Sequence, residues 1–428
     1  MGGSVDTNAE TGAEVTSSGS YAPTCSVATA TDTAVVEHPS VPQTWTLSEP
    51  IVISPHDGGT GEPIRIGFLS DMPVGDKLTE YLDPILLGLE DAMVEGRLNR
   101  TVELRASHVL GLPAGAAADV RAAYVDLVDD GCLIVGSTGV TNNALVLRDL
   151  INERAVPYIT MAGTTRFTGP HCFSLANGGH GEEAAILAAF LARQGHRRVV
   201  LTGEGSPGDE EYRSFFAEQA ALYGVEILAS HYFEDRPTDD ELDDVMRSFQ
   251  ALEPDALAYC GFGLHSDQLN PSLARIGWDP PKAMNAAIMW ALASQEWMDA
   301  LDGWVGIEQT LNDHEDLEKN PNWVAMLDRF ERRFGHRWDD TMIALLYDQG
   351  RAIAEAIINA PSVDGPGLTV GLERIKMMPT TLGGPRTYIG YGPEDHRGYR
   401  GDFMFMKQLR DGRFHFASYH QPQWPVND

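Results

Sequence analysis

Two short apolar runs, residues 133–135 and 157–160, flank a segment in which Ala144, Leu147, Leu150 and Ile151 recur three and four residues apart. Short apolar runs bounded by small residues predict buried strands, and the spacing between them predicts a helix. The alternation continues upstream. Residues 64–69 read as a buried strand, and a helix over 82–95 carries Ile85, Leu86, Leu89 and Met93 on one face. A strand over 102–106 and a helix over 117–128 complete this first series. Past 171–175 a second series begins, with helices over 181–194, 210–223 and 239–251 between strands over 198–202, 225–230 and 256–259. Strands separated by helices demand parallel pairing with right-handed crossovers, so the fold class is α/β with two successive doubly wound parallel-sheet lobes.

Toward the end of the chain, amphipathic helices are predicted over 323–334 and 342–359. Strands over 404–408 and 414–419 flank Arg410-Asp411-Gly412-Arg413, whose Asp-Gly pair is a hairpin turn signal. At the other end, residues 1–40 are rich in Ser, Thr, Gly and Ala and poor in large apolar side chains, too little to repay the entropy of ordering; they read as a disordered leader. Residues 41–63, with several prolines, read as an irregular extension.

At 428 residues the chain is long enough for two or three domains. Its 31 basic and 62 acidic residues give a formal charge of −31, which disfavours nucleic acid and anionic membrane surfaces as partners. No run of 18 apolar residues predicts a membrane span, so no direct membrane insertion is expected. The four cysteines, Cys25, Cys132, Cys172 and Cys260, have no C-x-x-C spacing and support neither a zinc knuckle nor a disulfide framework.

Each strand of the central unit empties into a loop of small residues, Gly136-Ser137-Thr138-Gly139 and Met161-Ala162-Gly163-Thr164-Thr165. The first loop opens a helix, where the dipole and orphan N–H groups favour an anion or a carbonyl oxygen. Loops at the carboxyl ends of parallel strands are where ligands bind, and Asp71 lies in the corresponding loop after the 64–69 strand. The "GSTG" loop followed by "PYITMAGT" resembles the first lobe of the class I periplasmic binding proteins, whose best-known branch is the substrate-binding component of branched-chain amino acid and amide ABC transporters. The likeness runs from about Ile64 to Tyr419.

That resemblance implies two lobes joined by a hinge: 64–175 for the first part of lobe 1, 176–310 for lobe 2, and 311–428 for returning helices and a closing hairpin shared between the lobes. It places ligand-holding hydroxyls and backbone at Ser137 and Thr138, and a second such loop at Ala162, Gly163 and Thr164. From lobe 2 it brings the loop containing Ser206, and Phe262 where the family often has a tyrosine. Asn285, with Met289 and Trp290, falls near the family's ammonium-gripping acid, which aligns with Ala286 or Ala287. No carboxylate stands there in the sequence, and an ammonium buried without a partner is costly. The expectation is therefore a small organic solute, an amide, a carboxylate or an amino-acid-like molecule, with the missing acid tilting the choice toward ligands without a cationic amine: amides, short carboxylates or aromatic acids.

Other motifs invite other chemistry. Gly203-Glu204-Gly205-Ser206-Pro207-Gly208 satisfies the dinucleotide fingerprint between a strand and a helix, but Glu204 puts a negative charge where a pyrophosphate would lie and Pro207 removes a donor. Ser206 lacks the glycine two residues before it that a nucleophile elbow requires. The acids at Asp235, Asp239, Asp240, Glu241, Asp243 and Asp244 do not match an EF-hand and suit a helix N-terminus. The 13 histidines show no metal-ligand spacing; His265, near the cleft loop, is the one worth following. No catalytic residue, metal or cofactor is expected. The reading is a binding protein, not an enzyme, with a small-molecule ligand and a membrane permease of an ABC transporter as partners, located in the periplasm or cell envelope. The amino terminus lacks the positive start and apolar core of a signal peptide, which leaves two alternatives: an exported chain whose signal has been removed, or a cytoplasmic ligand-sensing regulator of the same fold. A nucleotide-using enzyme is the third reading.

Overall fold

The computed structural model describes residues 44–72, 78–109, 116–137, 139–176, 178–309, 320–337, 341–384, 386–401 and 404–418. The leader expected over 1–40, Cys25 and Thr138 lie outside them. Lobe 1 contains strands β1 (Thr44–Thr46), β2 (Ile51–Ile53), β3 (Ile64–Ser70), β4 (Val102–Val109), β5 (Val135–Ser137), β6 (Tyr158–Thr160) and β7 (Cys172–Ser174), with helices α1 (Leu78–Val94), α2 (Ala117–Asp129) and α3 (Thr141–Arg154). Strands β4, β3, β5, β6 and β7 lie side by side in that order and pair in parallel. The extension expected to be irregular instead supplies β1 and β2, which pair antiparallel with β4 at the sheet edge. Each is only three residues long, too short to register as alternation in the sequence.

Lobe 2 repeats the plan. It contains α4 (His180–Gln194), β8 (Arg198–Glu204), α5 (Pro207–Leu222), β9 (Glu226–Phe233), α6 (Asp239–Gln250), β10 (Ala256–Tyr259), α7 (Leu269–Ile276), β11 (Lys282–Met284), α8 (Gln295–Ala300) and β12 (Val305–Glu308). The acidic run begins α6 with a capping box: the Thr238 hydroxyl accepts from Glu241 N, and Glu241 accepts from Thr238 N at 2.9 Å. This satisfies orphan donors at the helix start.

The chain then returns through α9 (Pro321–Phe334), α10 (Thr341–Asn359), α11 (Gly365–Glu373) and a small sheet of β13 (Met378–Pro379), β14 (Tyr388–Ile389) and β15 (Tyr399–Arg400). It ends in β16 (Phe405–Arg410) and β17 (Arg413–Ser418). Asp411 and Gly412 both have positive φ, 54° and 69°, as a type I′ turn requires. The hairpin extends the lobe 2 sheet, whose order is β17-β16-β12-β11-β10-β8-β9, with β16 antiparallel to β12. At that junction the buried Lys407 ammonium lies 2.7 Å from Glu308, which also accepts from the Thr341 hydroxyl at the head of α10.

Helices cover both faces of each sheet. In lobe 1, α1 and the returning α9, α10 and α11 pack on one face and α2 and α3 on the other. In lobe 2, α4 and α5 oppose α6 and α7. The most intimate helix contact is α1 against α10, where two backbones meet at glycines. A Cβ on Gly88 would stand 2.6 Å from the Tyr347 carbonyl oxygen, and one on Gly350 would stand 2.3 Å from that of Ile85. Beside this crossing, Tyr347 donates to Asp91 at 2.5 Å and Arg329 of α9 donates to the same carboxylate at 3.0 Å.

Gly350→Ala therefore forces backbone apart and is expected to cost about 1–3 kcal/mol. The control is Gly181→Ala in α4, where a Cβ meets nothing nearer than 3.9 Å and the change is expected to be neutral or slightly stabilising. Urea denaturation of both variants checks the contrast; equal effects would show that the close crossing does not constrain the fold.

Candidate functional site

A cavity of about 190 Å³ lies between the lobes. That is far more than the roughly 10–15 Å³ that one water needs, and suits a small organic molecule. Lobe 1 contributes Met72 after β3, Tyr81 of α1, the head of α3 from Gly139 to Asn142, and Met161 and Gly163 after β6. Met342 and Leu345 of α10 add an apolar wall. From lobe 2 come His180 and Glu183 of α4, Ser206, Gly208, Asp209 and Tyr212 around the head of α5, Phe262 after β10, and Asn285 with Ala286, Met289 and Trp290 after β11. The Trp290 indole N–H donates to the Phe262 carbonyl at 2.8 Å, and the two rings meet edge to face at 5.8 Å.

The lobes touch beside the cavity. The Glu211 carboxylate of α5 accepts from the Thr164 hydroxyl at 2.5 Å, from Thr165 N at 3.0 Å and from the Thr165 hydroxyl at 2.5 Å, while His180 Nδ1 lies 3.3 Å away. Burial pushes this carboxyl up, but the bonds from His180, Thr164 and Thr165 outweigh it and bring its pKa down to about 2. Gly208 packs on Thr141 across the same seam, where an added Cβ would meet the threonine side chain at 3.0 Å.

Of the residues singled out in the sequence, Gly163, Ser206, Phe262 and Asn285 line the cavity, as do Met289 and Trp290. Asp71, Ser137, Ala162 and Thr164 sit behind its wall. Asp71 is buried and accepts from Val140 N at 3.0 Å and from the Asn143 amide at 3.3 Å, so a side chain of the protein occupies donors at the head of α3. Ser137 is buried under α10; its carbonyl accepts from Gln349, and its hydroxyl bonds Tyr158. Gly136 gives Gln349 room, since a Cβ there would lie 2.5 Å from the glutamine Oε1. Ala162 belongs to the core beneath, its carbonyl accepting from Ser174. Thr164 turns to Glu211. Ser206 caps α5, exchanging hydrogen bonds with Asp209. The nucleotide-like loop has a structural use as well: the buried Glu204 carboxylate accepts from Tyr259 at 2.5 Å, Gly263 N at 3.0 Å and His265 N at 3.3 Å. His265 is buried under that loop, off the cavity, and burial lowers its pKa.

The expectation that no carboxylate stands near Ala286 fails in three dimensions. Glu183, from α4 and 103 residues away in sequence, accepts from Ala286 N at 2.9 Å and is 4 % exposed. Desolvation raises its pKa to about 8. Asp209 is also raised, by burial and by the neighbouring Glu204. Among the described residues, neither Lys nor Arg lines the cavity.

Residues 63–413 match the family model of a periplasmic binding protein. The chain belongs to that family. No curated protein sequence matches it. Among solved structures, a Desulfitobacterium hafniense ABC transporter substrate-binding protein in complex with Leu is similar at 18% identity and a TM-score of 0.66, covering 83% of this chain and 100% of that one. A Thermotoga maritima leucine-binding protein is similar at 16% identity and TM-score 0.67, covering 84% and 99%. A branched-chain amino acid transporter substrate-binding protein from Streptococcus pneumoniae, in complex with isoleucine, gives 16% identity, TM-score 0.67, and 84% and 100% coverage. These likenesses establish the fold: two parallel-sheet α/β lobes of the type I periplasmic binding architecture.

For this periplasmic binding protein, sequence reasoning passed over Glu183, Asp209, Tyr212 and His180. One signal was present. Glu183 stands three and four residues before Ile186 and Leu187, on the apolar face of an Ala- and Leu-rich helix, where an acid calls for a reason. Asp209 looks like an ordinary first-turn acid.

The pKa directions give opposite expectations. Glu211 is held below its ordinary 4.5, so its bonds stabilise the contact between the lobes above that pH and are lost as pH falls toward 2. Glu211→Gln is expected to weaken that contact by about 1.5–3 kcal/mol, read at pH 7 as an increased radius of gyration by small-angle scattering. An unchanged radius and melting temperature would show that this bridge does not hold the lobes. Glu183 is raised, so the folded state binds the extra proton, and the empty protein gains stability as pH falls from about 8 toward 4.5. Glu183→Gln should flatten the melting temperature over that window; a slope equal to wild type would remove Glu183 as its source.

Proposed function

We propose that this chain is the solute-capturing component of an ABC importer, acting in the periplasm or cell envelope and delivering its ligand to a membrane permease. Family membership supports a binding role. The single observation that carries the reading is the cavity built from both lobes and bridged by Glu211: a ligand there contacts both sheets, so binding favours the closed arrangement over an open one. The solved relatives with leucine or isoleucine in their titles support a small organic solute as the ligand class. The nucleotide reading loses its basis at Gly203–Gly208, where Glu204 is buried and bonded and the head of α5 is capped by Ser206. No helix among the described residues is long and apolar enough to cross a membrane.

A thermal-shift screen against amino acids, amines, amides, short carboxylates and nucleotides tests the proposal. A solute at a hundredfold excess over its Kd stabilises the folded state by about 2.7 kcal/mol. A specific shift with one small-solute class, accompanied by a smaller radius of gyration, is the expected result. Shifts with nucleotides alone, or none with any solute, would overturn it.

A further inference from the structure

We infer that the cavity takes a small organic cation, a primary amine on an apolar body, and discriminates against the same body carrying a carboxylate. The inference rests on the solute-binding reading and names the substrate class of that same site. It comes from which hydrogen-bonding groups are already used and which are not. Asn285 Nδ2 donates to the Gly261 carbonyl at 2.8 Å, which fixes the orientation of the amide and leaves Oδ1 as the free end. That oxygen is buried and has no partner among the described residues. The Tyr212 hydroxyl is likewise buried without a partner, on a side chain 2 % exposed. Beside them Glu183 presents a carboxyl whose one visible bond is from Ala286 N, next to Asn285 in the chain. Two oxygens and a carboxyl thus stand on one wall, all able to accept. An ammonium carries three donors and no acceptor.

The rest of the lining points the same way. Asp209 adds a second acid, and among the described residues no Lys or Arg lines the cavity beside them. Facing them across the cavity, the head of α3 offers a carboxylate less than its position suggests. Asp71 already holds the Val140 N–H and the Asn143 amide, so those donors are taken by the protein itself. An anionic ligand brings further acceptors to a wall whose unused groups are acceptors, and finds neither Lys nor Arg among the described lining residues to balance it. Phe262, Trp290, Met72 and Leu345 supply a surface for an apolar body. The raised pKa of Glu183 agrees with a carboxyl that waits for a cation, since a buried acid without a partner is held neutral and ionises when one arrives.

Isothermal titration of the whole chain with matched probes tests this. The series is isoamylamine and phenethylamine, the amino acids leucine and phenylalanine, the carboxylates isovalerate and 3-phenylpropionate, and the neutral isovaleramide. The expected result is that one of the amines binds at least tenfold more tightly than its amino acid, carboxylate or amide counterpart. Glu183→Gln should weaken that amine roughly tenfold to hundredfold while leaving the amide unchanged. Tyr212→Phe, which removes only the hydroxyl, should weaken it less. The wild-type selectivity alone decides the matter if a variant does not fold. Tighter binding of an amino acid, carboxylate or amide would overturn the inference and leave the solute-binding reading standing. Binding of none of the seven, together with no response in the broader solute screen, would overturn both.

Discussion

Two helix backbones meet at Gly88 and Gly350, and the arrangement of lobe 1 follows from that approach. With any side chain at either position α10 could not lie so close to α1. Because it does, α10 runs through the core with nearly every residue from Thr341 to Ile357 buried, and its polar residues find partners in the elements around it. Gln349 donates to the carbonyls of Ser137 and Ile159, at the carboxyl ends of β5 and β6. Asp348 accepts from Thr381 N and from the Tyr399 hydroxyl, fastening the small third sheet. Thr341, at the helix head, reaches Glu308 of lobe 2. One helix thus connects both large sheets and the small one, and its first turns carry Met342 and Leu345 to the cavity wall.

The same packing shows which polar groups at the strand ends after β5 the protein already uses. A glycine-rich turn at a helix N-terminus offers donors and a favourable dipole. Whether a ligand receives them depends on what the protein itself places there. In this chain Asp71 takes the Val140 N–H, and Gln349 covers Gly136. The polar opportunity moves to the opposite wall, where Glu183, Asn285 and Tyr212 are buried with unused acceptor capacity. Buried polar groups are nearly always paired, so a cluster left unpaired at a cavity marks a place where a partner completes the set.

Much of the fold was legible in the sequence because its signals are local. Strand β10 was placed at 256–259, where it lies, and the strand and helix alternation marks both sheets. The Asp411-Gly412 turn needs only two residues to be recognised. What escaped was tertiary or short. Strands β1, β2 and β11 have three residues each and draw their definition from the neighbours they pair with. The site was less legible for the same reason. Gly163, Ser206, Phe262 and Asn285 are marked by loop position together with the family resemblance, but neither fixes where a side chain turns, and Ser137 and Thr164 turn elsewhere. Glu183 reaches Ala286 across 103 positions, a proximity no local pattern contains.

Helix α5 lines the cavity and bridges the lobes with the same few residues. Its first residues face three ways within little more than a turn. Gly208 lies against Thr141 of lobe 1, Asp209 and Tyr212 face the cavity, and Glu211 reaches Thr164 and Thr165 across the seam. A rigid helix cannot bring one of these groups into place without the others. On the proposed solute-binding reading, a molecule that draws Tyr212 and Asp209 toward it also carries Glu211 to its threonines, and loss of the Glu211 bonds loosens the wall that Tyr212 belongs to. Coupling of this kind needs no relay through the core. It needs only that the groups share one short stretch of backbone, which on that reading is either docked on lobe 1 or free of it.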